Sequence, residues 1–104
     1  MSKKQDAEEL VNLLVKSLRH KIGSIVNENE FYSNKYAKDS DVILNQAKKA
    51  TLKHSWSRED KKKIKEILAR KLRKELEEKT FINNKKFEVM DGEIENVLEE
   101  LELD

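Results

Sequence analysis

Cysteine and proline are absent from this sequence of 104 residues, and glycine occurs only as Gly23 and Gly92. Without cysteine there are no disulfides, thiolate metal sites or thiol nucleophiles, which is typical of proteins in a reducing cytosol. Without proline and with so little glycine, the commonest turn-forming residues of β-rich folds are missing. These absences favour long helices, and they make a cytoplasmic location our expectation.

Long apolar runs are also missing from the sequence. No apolar stretch approaches the roughly 20 residues that a membrane-spanning helix requires. The first residues lead directly into an amphipathic pattern, without the apolar segment of a secretion signal. We therefore expect a small soluble protein that has no membrane partner.

Motifs of catalysis and of cofactor binding are absent as well. The sequence contains no glycine-rich phosphate loop, no H-E-x-x-H zinc motif, no EF-hand loop and no G-x-S-x-G elbow. The two histidines, His20 and His54, lie far apart, and no neighbouring residue marks either as a metal ligand or a base. We therefore expect a protein that is not an enzyme and that holds neither a metal ion nor a cofactor.

Charged residues are abundant, at 41% of the sequence, although their signs nearly cancel to a net charge of +1. The usual fraction is about 25%, so the surface must be almost wholly ionic around a modest core. The length fits one domain, and we assign residues 1–104 to a single helical domain. Residues 88–104 carry eight acidic and no basic residues, which predicts an acidic C-terminal helix at about 91–103.

The clearest helical signal lies in residues 57–79. Ser57 and Asp60 have the spacing of a capping box, in which a hydroxyl and a carboxylate bind free N–H groups of the first turn. Apolar residues then recur at steps of three and four along one side, at Ile64, Ile67, Leu68, Leu72 and Leu76. This stripe predicts an amphipathic helix whose apolar side the rest of the chain must cover.

Another amphipathic helix is predicted from Asp6 to about Val26, the most apolar part of the sequence. Within this helix, Gly23 indicates either close packing against a neighbour or an early helix end. Because the apolar face is wide, we expect self-association as a homodimer. From both helices together, we expect a buried core that contains Leu14, Leu18, Ile64, Leu68 and Leu72.

Residues 30–54 leave two alternatives open. Helical spacing from Tyr36 to His54 fits one long helix over about 30–54. The run Asp39-Ser40-Asp41 consists of residues that prefer caps and turns, which fits a turn followed by a helix over about 41–54 that begins at Asp41. We favour the second alternative.

Residues 80–90 also leave two alternatives open. Apolar pairs on either side of a polar tip fit a short β-hairpin, whereas a loop leading into a helix that begins near Lys85 fits equally well. The predicted fold is therefore all-α, a small bundle of three to four helices, with a short β-hairpin near residues 80–90 as the alternative to a loop.

The acidic C-terminal helix has an apolar face of its own, formed by Ile94, Val97, Leu98 and Leu101. If this helix folds back onto the core, its carboxylates are expected to neutralise Lys62, Arg70 or Lys74. If it projects outwards instead, it is a docking element for a basic partner.

A candidate binding surface lies on the polar side of the 57–79 helix. Between Lys48 and Glu75 there are twelve basic and four acidic residues, a net charge of +8 that suits the neutralisation of several phosphates. Trp56, just before the helix, either packs towards Ile64 or another helix or stands exposed as a stacking platform. The residues expected to contact nucleic acid or a protein partner are Lys62, Lys63, Arg70, Arg73 and Lys74.

The same charges also fit salt bridges within the helix. Six pairs of opposite charge lie four residues apart: Glu59–Lys63, Lys62–Glu66, Glu66–Arg70, Lys71–Glu75, Arg73–Glu77 and Lys74–Glu78. We favour this interpretation of a solvated helical face over nucleic-acid binding.

The predicted function is a non-enzymatic protein–protein interaction or assembly module, such as a small subunit, adaptor or regulator of a larger complex. The alternative is a small nucleic-acid-binding protein that uses the basic face of the 57–79 helix.

Overall fold

A computed structural model describes residues 2–26, 30–79 and 84–104. Four helices make up most of this part of the chain: α1 (Lys3–Val26), α2 (Glu30–Thr51), α3 (Arg58–Glu78) and α4 (Lys86–Glu100). The described residues include no β-strand, and none of the described helices combines the length and apolarity needed to cross a bilayer. The prediction of a small all-α bundle is confirmed.

Helix α1 is the centre of the bundle, since it packs against all three other helices. It runs parallel to α3, because Lys3 pairs with Asp60 near the two N-termini and Arg19 pairs with Glu75 near the two C-termini. Among the described helices, α2 packs only against α1. No Cα atom of α3 or α4 lies within 8 Å of a Cα atom of α2. The bundle is therefore a core of α1, α3 and α4 with α2 packed on α1.

The five residues predicted to form the centre of the core are all buried, each exposing 2% of its surface or less: Leu14, Leu18, Ile64, Leu68 and Leu72. This part of the prediction is confirmed. The apolar face of α1, including Leu10, Val11 and Ile22, is buried inside the bundle as well. The prediction of a homodimer assumes that the apolar face of α1 is exposed. In the structure, the three other helices cover this face within a single chain.

Helix α2 is continuous through Asp39-Ser40-Asp41, so the favoured turn and helix start at Asp41 are wrong. The physical reason lies on α1. The buried Ser40 hydroxyl donates to the Ser17 carbonyl at 2.9 Å, and the Ser17 hydroxyl donates to the Ser40 carbonyl at 3.0 Å. Because a neighbouring helix binds this hydroxyl, it does not compete with the local backbone for a turn.

Gly23 marks close packing, the first of its two alternatives. A Cβ atom at this position would lie 3.3 Å from a ring carbon of Tyr36 on α2. In the same part of the interface, the Ser33 hydroxyl donates to the Ser24 carbonyl at 2.7 Å. Small residues therefore let α1 and α2 approach each other closely.

The capping box at the start of α3 is confirmed. The Ser57 hydroxyl accepts from the Asp60 N–H at 3.1 Å, and the Asp60 carboxylate accepts from the Ser57 N–H at 3.0 Å. The Lys3 ammonium binds the same carboxylate at 2.7 Å. The Lys3 contact, followed by those to Ser57, lowers the pKa of Asp60 to about 2. The start of α3 is thus tied to the start of α1.

Of the two alternatives for residues 80–90, the structure has the helix that begins near Lys85, since α4 begins at Lys86. Phe87 and Val89, which would belong to the second strand of a hairpin, lie in the first turn of α4. Residues 80–83, the other part of that hairpin, lie outside the described residues. Lys86 is buried, and its ammonium donates to the carbonyl of Lys79 at 2.9 Å, directly after the end of α3.

The acidic C-terminal segment folds back onto the core. Its predicted apolar face is buried: Ile94, Val97, Leu98 and Leu101. Its carboxylates pair with Lys21, Lys48 and Lys65. The expected partners Lys62, Arg70 and Lys74 are not used, because α4 packs between α1 and α3 and so reaches cations on three different helices.

Candidate functional site

The five basic residues predicted to contact a partner all have exposed side chains on α3, yet they do not form one face. Lys63 and Lys74 line cavities between α3 and α1. Lys62 lines a cavity on the α4 side of α3, beside the C-terminus of the chain. The Arg73 guanidinium also faces α4, at 5.7 Å from the centre of the Phe87 ring. The remaining residue, Arg70, is exposed and lines none of these cavities.

None of the six salt bridges expected within α3 forms in residues 59–78, all of which are described. Ion pairs cross to other helices instead: Asp60 with Lys3 at 2.7 Å, Glu75 with Arg19 at 3.6 Å, and Lys65 with Glu95. An exposed pair within one helix gains only about 0.2–0.5 kcal/mol, so contacts made by helix packing easily override it. The prediction of salt bridges along α3 is therefore wrong, whereas the interpretation of a solvated helical face stays a prediction.

All five candidate cations keep their charge available to a partner: Lys62, Lys63, Arg70, Arg73 and Lys74. Within the part of the chain that the structure describes, no carboxylate lies within 4.0 Å of any of their charged groups. An exposed, unpaired ammonium or guanidinium group loses no existing ion pair when it binds a partner's anion.

A groove between α1 and α3 lies beside Lys63 and Lys74. At its N-terminal end is a cavity of about 570 Å³, within the range of typical ligand sites. Its apolar lining consists of Ala7, Val11, Trp56, Ile64 and Ile67. Its charged lining consists of Lys3, Lys4, Glu8, Asp60, Lys63 and Lys71. The groove therefore combines an apolar floor with a predominantly basic rim.

The groove continues towards the C-terminal ends of both helices. A second cavity of about 450 Å³ shares Lys71 with the first and is lined mainly by Lys16, Arg19, Lys74, Glu75 and Glu78. Across both cavities there are seven cations and four carboxylates. Two of those carboxylates are already paired, Asp60 with Lys3 and Glu75 with Arg19. We refer to the two adjoining cavities together as the α1/α3 groove.

Trp56 is half-buried and belongs to both the core and the groove. It packs against the hydrophobic core and lines the first cavity together with Ile64. Its indole N–H donates to the carbonyl of Thr51 at 2.9 Å, and the ring of His54 packs edge-on with centres 5.4 Å apart. The ammonium of Lys3 lies 5.6 Å from the indole centre. The indole is thus held in place while part of it stays accessible from the groove.

A contact between Asp6 and His54, next to Trp56, is not predicted from the sequence. Nε2 of His54 lies 2.5 Å from the buried carboxylate of Asp6, and the second carboxylate oxygen is buried without a hydrogen bond among the described residues. The His54 contact, reinforced by the charge of Lys53, lowers the pKa of Asp6. The pair joins the α2–α3 connection to α1. No pattern in the sequence relates two residues so far apart.

The contribution of α1 to the groove is also missing from the sequence-based site. Lys3, Lys4, Lys16 and Arg19 lie beside the apolar stripe of α1, which is an ordinary place for polar residues on an amphipathic helix. Their helical spacing is visible in the sequence. Their position opposite α3 depends on the parallel packing of the two helices, which no local pattern reveals.

Across residues 2–26, 30–79 and 84–104, no three His, Cys, Asp or Glu side chains come together as a metal site. Comparison with known proteins finds no matching family model, curated protein or solved structure. The described residues form a small bundle of four helices, and the candidate site is the α1/α3 groove.

Proposed function

We propose that this protein is a non-enzymatic protein–protein interaction module that holds its partner in the α1/α3 groove. The observation that carries the proposal is the combination of an apolar floor, formed by Trp56 and Ile67, with exposed lysines such as Lys63 along the rim. Protein interfaces typically place apolar and aromatic anchors at their centre and polar groups at their edge.

A structural role accounts for the contact between Asp6 and His54. A general base must reach the proton that it removes from a substrate. Here the carboxylate is buried, and the imidazole is held between that carboxylate and the indole of Trp56. This pair therefore acts as a structural tie between the α2–α3 connection and α1.

Site-specific photo-crosslinking tests the proposal. A photoreactive phenylalanine analogue in place of Glu8, an exposed residue of the groove, is expected to capture a protein in extracts of the source cells. The same analogue in place of Asn45, which is exposed on α2, should not capture that protein. Mass spectrometry then identifies the captured protein.

The control for this experiment is a matched pair of charge reversals. Lys63→Glu with Lys71→Glu should abolish the crosslink, because both lysines line the groove. Lys35→Glu with Lys38→Glu makes the same charge change at exposed positions of α2 and should leave the crosslink intact. Capture that survives the first pair, or no capture at all, would contradict the proposed role of the groove.

Nucleic-acid binding is the second candidate function, and the unpaired cations of α3 favour it. Lys62, Arg70 and Lys74 are exposed and have no carboxylate partner among the described residues. Binding of labelled DNA and RNA, followed by fluorescence anisotropy, should weaken steeply between about 50 and 200 mM salt if phosphates are neutralised. Arg70→Glu with Lys74→Glu should then abolish binding, whereas the Lys35 and Lys38 reversals should not. No binding at the lower salt concentration removes this candidate.

Self-association stays a prediction. The apolar face of α1 gives no support to it, because that face is buried within the chain. A second copy is nevertheless one partner that an interaction module can bind. Light scattering coupled to gel filtration distinguishes a species of 12.3 kDa from a dimer.

A further inference from the structure

We propose that the α1/α3 groove binds an acidic amphipathic helix of a partner protein. The apolar side of that helix lies on the groove floor, and its carboxylates lie against the lysine rim. This inference rests on the proposed function and adds the chemistry of the partner.

The groove floor is suited to the apolar side of a helix. Ile67 and Trp56 are half-buried and leave apolar surface between the two parallel helices, above the buried Val11 and Ile64. A helix that docks in such a groove places side chains at positions i, i+3, i+4 and i+7 along it. The groove supplies the apolar strip that these side chains need.

Trp56 is a pre-ordered anchor within this floor. Its indole is held by the hydrogen bond to the Thr51 carbonyl and by the edge-on contact with His54. An immobilised side chain loses little further entropy when a partner binds. Tryptophan is also among the residues that most often dominate binding energy at protein interfaces.

The charge of the groove selects a negatively charged partner. Its seven cations and four carboxylates leave a net charge of +3. Among these cations, Lys4, Lys16, Lys63, Lys71 and Lys74 have no carboxylate within 4.0 Å in the described part of the chain. Complementary charges of this kind accelerate association and exclude partners of the wrong sign.

The length of the groove sets the length of the partner helix. The lining residues on α1 run from Lys3 to Arg19, which corresponds to about 24 Å at a rise of 1.5 Å per residue. A partner helix of about 16 residues therefore covers the groove from end to end.

Two other occupants fit less well. A nucleic-acid backbone would leave the apolar floor of the groove unused, because phosphates bind only its cations. The acidic α4 of a second copy has no apolar side to offer, because Ile94 and Leu98 are buried in its own core. A helix from a different protein satisfies both the floor and the rim.

The fluorescence of Trp56, the only tryptophan in the chain, reports directly on the groove. The probe is a peptide of about 16 residues with leucines at helical i, i+3, i+4 and i+7 spacing and glutamates on the other side. It is expected to shift the Trp56 emission to shorter wavelength in a saturable titration. A peptide with lysines in place of the glutamates, and a scrambled peptide of the same composition, should bind at least about tenfold more weakly. Equal binding of the three peptides, or no response to the acidic one, overturns the inference.

Charge reversal locates the peptide on the surface. Lys63→Glu with Lys71→Glu should weaken binding of the acidic peptide by at least about tenfold, whereas Lys35→Glu with Lys38→Glu should change it by less than about twofold. Equal weakening by the two pairs overturns the inference, because attraction to the whole surface would then explain the binding. Displacement of the peptide by a short DNA or RNA duplex also overturns it and assigns the groove to nucleic acid.

The crosslinking experiment separates this inference from the function on which it rests. If the protein captured at position 8 makes its contact through a segment that is neither acidic nor amphipathic, this inference fails and the interaction module stands. If nothing is captured at position 8, the proposed function itself fails.

Discussion

Helix α1 has two different kinds of neighbour. Towards α2 it presents Ser17, Gly23 and Ser24, and the two helices pack in close contact with hydrogen bonds between serines. Towards α3 it presents long basic side chains such as Lys4 and Lys16, and there a groove lies open along the surface. One helix therefore forms a closed interface on one side and an accessible one on the other.

Side-chain size explains this difference between the two sides of α1. Small residues let the backbones of α1 and α2 approach each other, so no accessible surface is left between them. Lysines at the border of the α1–α3 contact keep their heads in water, so the surface between the helices stays accessible. The side of α1 that faces α3 is consequently where we expect a partner to bind.

The largest expected effect comes from the core that both sides share. Leu68→Ala should lower the free energy of unfolding by about 2–5 kcal/mol, because the removed atoms leave a cavity in a site with 0% exposure. Leu52→Ala is the matched control, since Leu52 is 85% exposed and should change the stability by less than about 0.5 kcal/mol. Urea unfolding followed by circular dichroism measures both. If Leu68→Ala unfolds at the same urea concentration as the wild type, α3 does not pack on the core as described.

A smaller effect is expected at the closed interface. Ser40→Ala should cost about 0.5–1.5 kcal/mol, because the hydrogen bond from the Ser40 hydroxyl to the Ser17 carbonyl is lost. Ser17→Ala should cost a similar amount for the same reason. The double variant should cost less than the sum of the two single variants, since the serines act as a unit. A strictly additive result from urea unfolding would mean that the two hydroxyls stabilise the interface independently.

The stability of the folded chain at low pH depends on two carboxylates, those of Asp6 and Asp60. Asp6 ties the α2–α3 connection to α1, and Asp60 binds Lys3 at the open side. Both have a pKa below the ordinary value of 3.8, and that of Asp60 is about 2. The unfolded chain therefore binds protons first as the pH falls, so the stabilisation is complete above about pH 4 and is lost towards pH 2.

This pH dependence is measured by urea unfolding between about pH 6 and pH 2. Asp6→Asn and Asp60→Asn should each give a shallower decline of stability with falling pH than the wild type. Asp60→Asn keeps an acceptor for the Ser57 N–H, so its effect isolates the charge that Lys3 binds. A decline as steep as that of the wild type in either variant would contradict the described pairing at that site.

The smallest effect on stability is expected at the open interface. Lys63→Glu with Lys71→Glu should leave the free energy of unfolding within about 0.5 kcal/mol of the wild type, because neither lysine forms a buried ion pair. The same variant is expected to lose groove binding. A large loss of stability would make the groove a structural contact and would remove the contrast between the two sides of α1.

Local patterns in the sequence predict most of the fold and little of the site. The stripe around Leu68 identifies both α3 and its buried face, and the spacing of Ser57 and Asp60 identifies its start. The α2 segment shows the limit of such patterns, because a serine that prefers a cap lies mid-helix when Ser17 of a neighbouring helix binds it. The basic residues of α3 are likewise evident from the sequence, whereas their division between the α1 and α4 sides is not.

The sequence by itself determined α1 and α3, the capping box and the centre of the core, because these follow from spacings of three and four residues within one segment. Only the tertiary structure decided that α1 and α3 lie parallel with a groove between them, and that Asp6 meets His54. It also decided that the ion pairs of α3 join it to other helices and do not run along α3 itself. Those contacts depend on how each helix is rotated and placed against its neighbours, and many weak contacts across the whole bundle set that rotation together.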